Sequence, residues 1–361
     1  SGFFIHHLTG KFIDSIGSTV GYVPFHYKKQ RWCKPGERNT NLFPIGRDKL
    51  VDLVKPSELL GYVSREAMAQ TGLPEGLPVI ASAADKACEV LGSGCISPEV
   101  ACLSYGTTAT IETTNPRYIE IIKFFPSYPS AVPNFFNTEV MIYRGYWMVN
   151  WFKKEFGHKE VELAKQLGKS AEELFDEMIR EIPPGSMGLT LQPYWSPGLK
   201  IPGVEAKGAV IGFGDVHTKA HLYRSIIEGL IFALKEGAIR TQRKNGVKIQ
   251  RLRVSGGGSQ SMNALQITAD IFGLPVEKPH TYETSALGAA INCAVGVGLY
   301  PDFKTAIDKM CRVGEVYLPI KENQMVYDEL YHRVYSKMYK RLRPLYEQIR
   351  DITGYPPKIT D

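Results

Sequence analysis

Apolar positions follow two different patterns along this chain. Short runs bounded by glycine or proline predict buried strands, at residues 78–81, 100–103, 207–214 and 250–254. Apolar residues spaced three or four positions apart predict helices with one buried face, at residues 3–8, 57–60, 64–70, 147–152, 170–182, 217–240, 262–272, 283–290 and 327–346.

Local signals refine several of these predicted helices. Ser64 and Ser170 each precede a helical pattern that has an acidic residue in its first turn, which is typical of N-caps. The small residues of 283–290 predict close packing against another helix. The last segment carries a tyrosine-rich stripe that we expect to face the core, and Pro344 is expected to kink or divide it.

Composition narrows the class of protein. The chain has 361 residues, which is enough for two domains, with 43% hydrophobic and 22% charged residues. The net charge of +6 is scattered and forms no basic block, so we expect no nucleic-acid partner. No apolar run reaches the length of a membrane span and no signal peptide is visible, so no membrane association is expected.

The cysteines and the first residues suggest a cellular context. The six cysteines form no CxxC pair and sit mostly in apolar runs, which predicts buried thiols in a reducing, cytoplasmic compartment. The chain starts without methionine, in what resembles the middle of an amphipathic helix. We therefore expect that a further segment precedes it in the parent protein.

Two features of residues 78–110 suggest chemistry at an anionic group. Asp85 follows the first strand-like run, and a Ser-Tyr-Gly-Thr-Thr turn, residues 104–108, follows the next. A glycine flanked by hydroxyls lets backbone N–H groups approach an anionic oxygen. On neighbouring strands, this carboxylate and this turn would suit proton removal beside a phosphoryl group. An aspartate after a strand also serves as a helix cap or a turn residue, so both interpretations stay open.

A second glycine turn lies late in the chain. Residues 256–258 are three glycines between a predicted strand and a predicted helix, an arrangement suited to a ligand that contacts backbone at a helix N-terminus. A tight turn without ligand would have the same sequence. The spacing does not match the dinucleotide-binding fingerprint. His217 and His221 lie four apart without a third metal ligand nearby, which indicates a cap and a surface histidine.

The order of these motifs resembles the second half of the FGGY carbohydrate kinases, members of the actin-like ATPase superfamily. The likeness extends from about Phe3 to about Phe303 and includes HHLTGKFIDSIGS, RVSGGGSQS and ETSALGAA. It implies a ribonuclease H-like α/β domain at residues 84–361 that binds nucleotide. Residues 1–83 would then be the tail of a first such domain, which binds the sugar.

The resemblance also implies roles for individual residues. Asp85 matches the catalytic base that takes a proton from the sugar hydroxyl. The remaining matches would bind ATP, through a phosphate motif of Gly106, Thr107 and Thr108 and an adenosine motif of Gly256, Gly257, Gly258, Gln260 and Ser261. The implied partners are Mg²⁺, a sugar or polyol held in an interdomain cleft, and a second copy in a homodimer.

Two departures from the family pattern keep a rival hypothesis open. No Asp-x-Gly-Thr phosphate loop precedes Asp85, and residues 198–202 (GLKIP) replace the more usual Gly-Glu-Arg-x-Pro. The alternative is a non-catalytic nucleotide-binding or scaffold protein on the same fold. The motifs do not identify the sugar.

Overall fold

A seven-stranded mixed sheet forms the centre of the larger part of the chain. The computed structural model describes residues 1–196, 198, 202–355 and 357. The strands are β1 (Ile13–Ser15), β2 (Phe25–His26), β3 (Arg31–Trp32), β4 (Asp52–Val54), β5 (Leu59–Tyr62), β6 (Pro78–Ile80), β7 (Val100–Tyr105), β8 (Ala109–Asn115), β9 (Tyr128–Pro129), β10 (Phe136–Ile142), β11 (Thr190–Gln192), β12 (Ala209–Ile211), β13 (Arg251–Ser255), β14 (Val276–Pro279) and β15 (Val313–Tyr317).

Helices cover this sheet and connect its strands. They are α1 (Gly2–Thr9), α2 (Arg38–Leu42), α3 (Arg65–Thr71), α4 (Asp85–Gly92), α5 (Trp147–Phe156), α6 (His158–Leu167), α7 (Ala171–Ile179), α8 (Lys219–Asn245), α9 (Met262–Phe272), α10 (Thr284–Gly296), α11 (Phe303–Met310), α12 (Lys321–Leu330) and α13 (Ser336–Thr353). Ser64 caps α3 and Ser170 forms a capping box with Glu173, as predicted. No helix in the described part of the chain is both long and apolar enough to cross a membrane.

The strand order of the central sheet is β15-β14-β13-β7-β8-β10-β9. β13 runs parallel to both β7 and β14, while the other neighbouring pairs are antiparallel. In the β7–β13 pair, Ser104 lies opposite Ser255. Because parallel strands end at the same edge of a sheet, the two turns that follow these serines lie side by side.

The main core lies between this sheet and helix α8. Ile226, Leu230 and Leu234 of α8 are fully buried, as the predicted buried face requires. The tyrosine stripe is also confirmed, since Tyr327, Tyr331, Tyr335, Met338 and Tyr346 are all buried. The backbone N–H of Thr218 donates to Nδ1 of His221 at 3.1 Å, so this histidine caps α8.

Residues 1–83 form small strand pairs, and two predictions fail there. β1 pairs with β4, β2 with β3, and β5 with β6. The helix predicted at 57–60 is wrong, because β5 pairs with β6 and Leu60 packs on Ile5 and Ala81. The prediction that Asp85 and the residue 104–108 turn follow neighbouring strands is also wrong, since β6 pairs with β5 outside the central sheet.

Two further expectations need correction. Helix α13 continues through Pro344 and is not divided there. Proline has no N–H to donate to the carbonyl four residues earlier, but Pro344 is exposed, so water can bond to that carbonyl instead. The irregular turn lies earlier, as a π-helical segment at Tyr331–Tyr335, where both tyrosines pack against Phe232. The cysteines are not all buried, because Cys293 is exposed and Cys33 and Cys311 are partly buried.

Helices α4 and α10 cross at two glycines. A Cβ added to Gly92 would lie 1.9 Å from the carbonyl oxygen of Thr284, and one added to Gly288 would lie 1.9 Å from that of Cys88. Both distances are far below van der Waals contact, so the backbones approach too closely for any side chain. The predicted close packing of residues 283–290 is therefore confirmed, and it places α4 and its first residue, Asp85.

Adding one carbon at this crossing should destabilise the fold. We expect Gly288→Ala to lower the free energy of unfolding by about 1–3 kcal/mol, because the helices must separate to accommodate the methyl group. Ala290→Ser adds one heavy atom at an exposed position of α10 and should cost less than about 0.5 kcal/mol. Urea unfolding measures both, and equal stability of the two variants would contradict the packing argument.

Candidate functional site

Two glycine turns meet at one edge of the central sheet. Gly106–Thr108 follows β7, and Gly256–Gly258 follows β13. Gly256 has φ +81°, and a Cβ there would lie 3.0 Å from the carbonyl carbon of Tyr105. Both the left-handed backbone and this contact favour glycine. The sequence motifs, some 150 residues apart, are thus direct neighbours in space.

A third segment, residues 143–147, holds these turns in place. The backbone N–H of Tyr146 donates to the carbonyl of Gly106 at 3.0 Å, and that of Trp147 donates to Thr107 at 3.3 Å. The Tyr146 ring stacks on Tyr105 with 4.6 Å between centroids. A Cβ on Gly258 would lie 2.4 Å from the Tyr146 ring, so this glycine gives the tyrosine its place.

The outer side of the turns is open. Thr107, Gly257 and Gln260 are exposed. A Cβ added to Gly257 would meet no heavy atom within 4 Å in the described structure, so the backbone here faces open space. Exposed backbone of this kind beside the start of α9 fits an anionic group such as a phosphate.

Ser261 and Gln260 occupy different positions relative to this opening. Ser261 caps α9, since its hydroxyl accepts from the backbone N–H of Ala264 at 3.0 Å and donates to the carboxylate of Asp176. The hydroxyl of Ser261 is therefore engaged within the protein. Gln260 is exposed, and its amide lies 3.5 Å from the carbonyl oxygen of Gly257.

Asp85 is the first residue of α4, and its carboxylate is exposed. One carboxylate oxygen accepts the backbone N–H of Lys86 at 2.8 Å, and its carbonyl accepts the hydroxyl of Ser285 at 3.2 Å. The residue before Asp85 is held by a backbone hydrogen bond, in which the N–H of Ala84 donates to the carbonyl oxygen of Gly17 at 2.9 Å.

Lys86 connects Asp85 to the first glycine turn. Its ammonium donates to Oγ of Ser104 at 2.6 Å and to Glu89 at 2.8 Å. The other carboxylate oxygen of Glu89 accepts the hydroxyl of Ser255. Sequence analysis missed this connection. The available signal was a pair of charged residues three positions apart within an otherwise small and apolar helical segment.

Two more carboxyls lie beneath the turns, on adjacent strands. Glu112 of β8 is directly opposite Glu139 of β10. Burial raises the pKa of Glu112 well above its ordinary value, with a further contribution from the Glu139 carboxylate. Burial likewise raises the pKa of Glu139, while Lys86 lowers it. Both carboxyls are therefore biased toward the neutral form.

An open groove lies apart from the residues predicted for the site. It has a volume of about 920 Å³ and is lined by residues from the segments 21–42 and 118–128. Tyr22, His26 and Lys28 line one part of it, and Tyr118 and Glu120 line another. Neither Asp85 nor either glycine turn contributes to its walls.

The match to a protein family agrees with this geometry. A model of the C-terminal domain of the FGGY family of carbohydrate kinases matches residues 101–297, more than half of the chain. The chain belongs to the FGGY family of carbohydrate kinases. The matched region contains both glycine turns and helices α8, α9 and α10, and thus the centre of the candidate site.

Curated relatives agree with the family assignment. The sugar kinase YgcE of Escherichia coli (strain K12), described as uncharacterized, is 32% identical over 94% of this chain and 69% of its own length. A xylulose kinase of Lactococcus lactis is 27% identical over 95% of this chain and 66% of its own length. The chain thus spans about two thirds of the length of these relatives.

Solved structures confirm the predicted actin-like α/β fold. The xylulose kinase of Rhodospirillum rubrum superposes with a TM-score of 0.80 at 25% identity, over 96% of this chain and 67% of that one. Its overlap includes the small strand pairs of residues 1–83 as well as the central sheet, because nearly the whole chain is covered. The boundary between two domains near residue 83 stays a prediction. Of the departing segment 198–202, residues 199–201 lie outside the described residues.

The neutral form of Glu112 should make stability depend on pH. A carboxyl with a raised pKa in the folded state contributes stability that is complete below the ordinary value of 4.5 and is lost as pH rises through the folded pKa. Glu112→Gln keeps the shape and cannot ionise. We expect this variant to be more stable than wild type at pH 8, on the order of 1 kcal/mol, with a smaller difference at pH 4.5. Urea unfolding at both pH values measures this.

The matched control is Glu75→Gln, which neutralises an exposed carboxyl in a loop. It should change stability by less than about 0.5 kcal/mol at either pH. A Glu112→Gln variant whose stability difference from wild type is the same at pH 4.5 and pH 8 would contradict the neutral carboxyl.

Proposed function

We propose that the protein transfers the γ-phosphoryl group of ATP to a hydroxyl of a sugar, with Asp85 as the general base. The observation that carries this proposal is the convergence of two open glycine turns, one of them joined to the helix of Asp85 through Lys86 and Ser104. Phosphoryl transfer depends mainly on positioning, charge stabilisation and a base within reach of the attacking hydroxyl. The two turns would supply backbone N–H groups for positioning the phosphates, and Asp85 would supply the base.

The two turns would divide the nucleotide between them. Gly106, Thr107 and Thr108 present an open turn beside Ser104 and suit the phosphates. The turn Gly256–Gly258, followed by Gln260 and helix α9, would contact the nucleoside. Ser261 would contribute indirectly, because its hydroxyl caps α9. The open space around Gly257 supports this arrangement, because a ligand can reach the backbone there without displacing a side chain.

Mg²⁺ fits this site as an ion that enters with the nucleotide. No cluster of three or more histidine, cysteine, aspartate or glutamate side chains suitable for a metal occurs among the described residues. Mg²⁺ commonly keeps several waters and binds through substrate phosphates with few protein ligands. When bound, it would neutralise charge on the phosphates. The exposed carboxylate of Asp85 could contact its water shell.

Asp85 would take the proton of the attacking sugar hydroxyl. Its carboxylate is exposed and makes a single backbone hydrogen bond among the contacts described, so an oxygen remains able to accept that proton. Its place on the first turn of α4 is fixed by the glycine crossing with α10. A base held in this way would stay oriented toward the attacking hydroxyl, and such fixed geometry lowers the barrier to reaction.

The relatives suggest which sugars to test first. Several are named xylulose kinase, and others are named autoinducer-2 kinase. A ketose is therefore our first candidate substrate, and xylulose is the first compound to try. A panel of pentoses, other ketoses, gluconate and polyols covers the remaining chemistry of the family.

Replacing the base should abolish most of the activity. We expect Asp85→Asn to lower kcat by about a hundredfold or more, because the amide cannot accept the proton, while the KM for ATP changes little. A coupled assay of ADP release with the panel measures both constants. Asp308→Asn, at an exposed position of α11, is the matched control and should keep wild-type rates. An Asp85→Asn variant within tenfold of wild-type kcat would exclude this role.

The second glycine turn gives an independent test of nucleotide binding. A Cβ on Gly257 would meet no heavy atom of the described residues within 4 Å, so Gly257→Val should fold normally and unfold at the wild-type temperature. The added side chain would occupy space next to the proposed nucleotide, and we expect the KM for ATP to rise about tenfold or more. The KM for the sugar should change little. Unaltered ATP kinetics in a folded variant would place the nucleotide elsewhere.

A further inference from the structure

We propose that Lys86 is a positioning residue that balances buried carboxylate charge behind the two glycine turns and so keeps them able to bind a polyphosphate. This inference rests on the proposed function, because it assumes that these turns bind a nucleotide. It assigns to Lys86 and Glu89 a part in the site that neither sequence motif contains.

The Lys86–Glu89 pair links the base helix to both turns. Lys86 bonds to Ser104, which lies two residues before Gly106, at 2.6 Å. Glu89 bonds to Ser255, which directly precedes Gly256. Because Ser104 and Ser255 lie opposite each other on the parallel strands β7 and β13, one ion pair of α4 spans the base of both turns.

The carboxylate of this pair is buried, and its ammonium is partly exposed. The side chain of Glu89 is 8% exposed and that of Lys86 is 34% exposed. Water therefore screens the Glu89 charge weakly, and removing its partner leaves a costly unpaired charge in the interior. The i,i+3 pair Glu162–Lys165 on α6 has the same 2.8 Å separation but is about two-thirds exposed, and so provides a matched comparison.

Several ionisable groups from the neighbouring elements act on or near Lys86. Burial lowers the pKa of Lys86, but Glu89 outweighs it and raises the pKa above its ordinary value, with help from Glu112 of β8. Asp85 on α4, Glu139 of β10 and the Cys102 thiol of β7 complete the set. Lys86 lowers the pKa of both Glu112 and Glu139, because its positive charge favours their ionised forms.

Loss of the ammonium would therefore change the potential at the turns. The Glu89 carboxylate would lose its charge partner beside Ser255, in a poorly screened environment. The positive charge bonded to Ser104 would be lost as well, so the turns would attract a polyphosphate less strongly. Neutralising Glu89 as well should restore the charge balance of the pair, and thermal unfolding of the same variants separates this effect on binding from a loss of folding.

Nucleotide binding in a double-mutant cycle tests this inference. The proteins are wild type, Lys86→Met, Glu89→Gln and the double variant, titrated calorimetrically with Mg²⁺ and ADP in the absence of sugar. We expect Lys86→Met to weaken ADP binding about tenfold, Glu89→Gln to bind at least as tightly as wild type, and the double variant to return to within about threefold of wild type. Lys86→Arg keeps the charge and should also bind within about threefold of wild type. Thermal unfolding of each protein accompanies the titration.

Lys165→Met and Glu162→Gln are the controls at the exposed pair, and neither should change ADP binding. A Lys86→Met variant that binds ADP like wild type would overturn the inference, and so would a double variant that binds ADP as weakly as Lys86→Met does. If Lys86→Met does not fold, a weakened Glu89→Gln or a tenfold-weakened Lys86→Arg would overturn it equally. Wild-type protein that fails to bind ADP would instead reject the proposed function, and this inference with it.

Discussion

The parallel pairing of β7 with β13 is the constraint on which the candidate site depends. It joins strands that are about 150 residues apart in sequence and sets Ser104 opposite Ser255. Since both strands then end at one edge, two short glycine turns become one continuous surface of exposed backbone. A register shift of one residue would turn the serines away from α4 and separate Gly256 from the backbone of Tyr105. The chemistry at this edge thus follows from pairing within the sheet.

Helix α4 reaches this surface through two independent sets of contacts. Its far side crosses α10 at Gly92 and Gly288, where the backbones touch without intervening side chains. Its near side carries Lys86 and Glu89, which bond to the serines at the ends of β7 and β13. Packing fixes the distance of the helix from the sheet, while the ion pair fixes its rotation. Together they determine where its first residue, the exposed carboxylate of Asp85, is presented.

Local sequence signals predicted those parts of the structure that local physics determines. The strand before Gly256, the caps of α3 and α7, the buried face of α8 and the tyrosine stripe all have short-range signatures, and each was found. The errors arose where distant residues decide the outcome. The apolar pattern predicts a helix where β5 lies, because Leu59 and Leu60 fit a helix or a strand until β6 pairs with β5. The pairing of β6 outside the central sheet, and the π turn upstream of Pro344, depend on tertiary contacts that no window of sequence contains.

The same limit explains why the charged residues behind the turns escaped sequence analysis. Lys86 and Glu89 look like an ordinary helical ion pair, and only the folded chain shows that strands β7, β8, β10 and β13 surround them. An anion-binding surface built from neutral backbone has little attraction of its own, so charges just below it have a large influence. Burial holds Glu112 and Glu139 toward their neutral forms, and Lys86 offsets Glu89. Acidic residues can therefore lie close beneath a phosphate site without opposing it, provided that their protons and one ammonium remain in place.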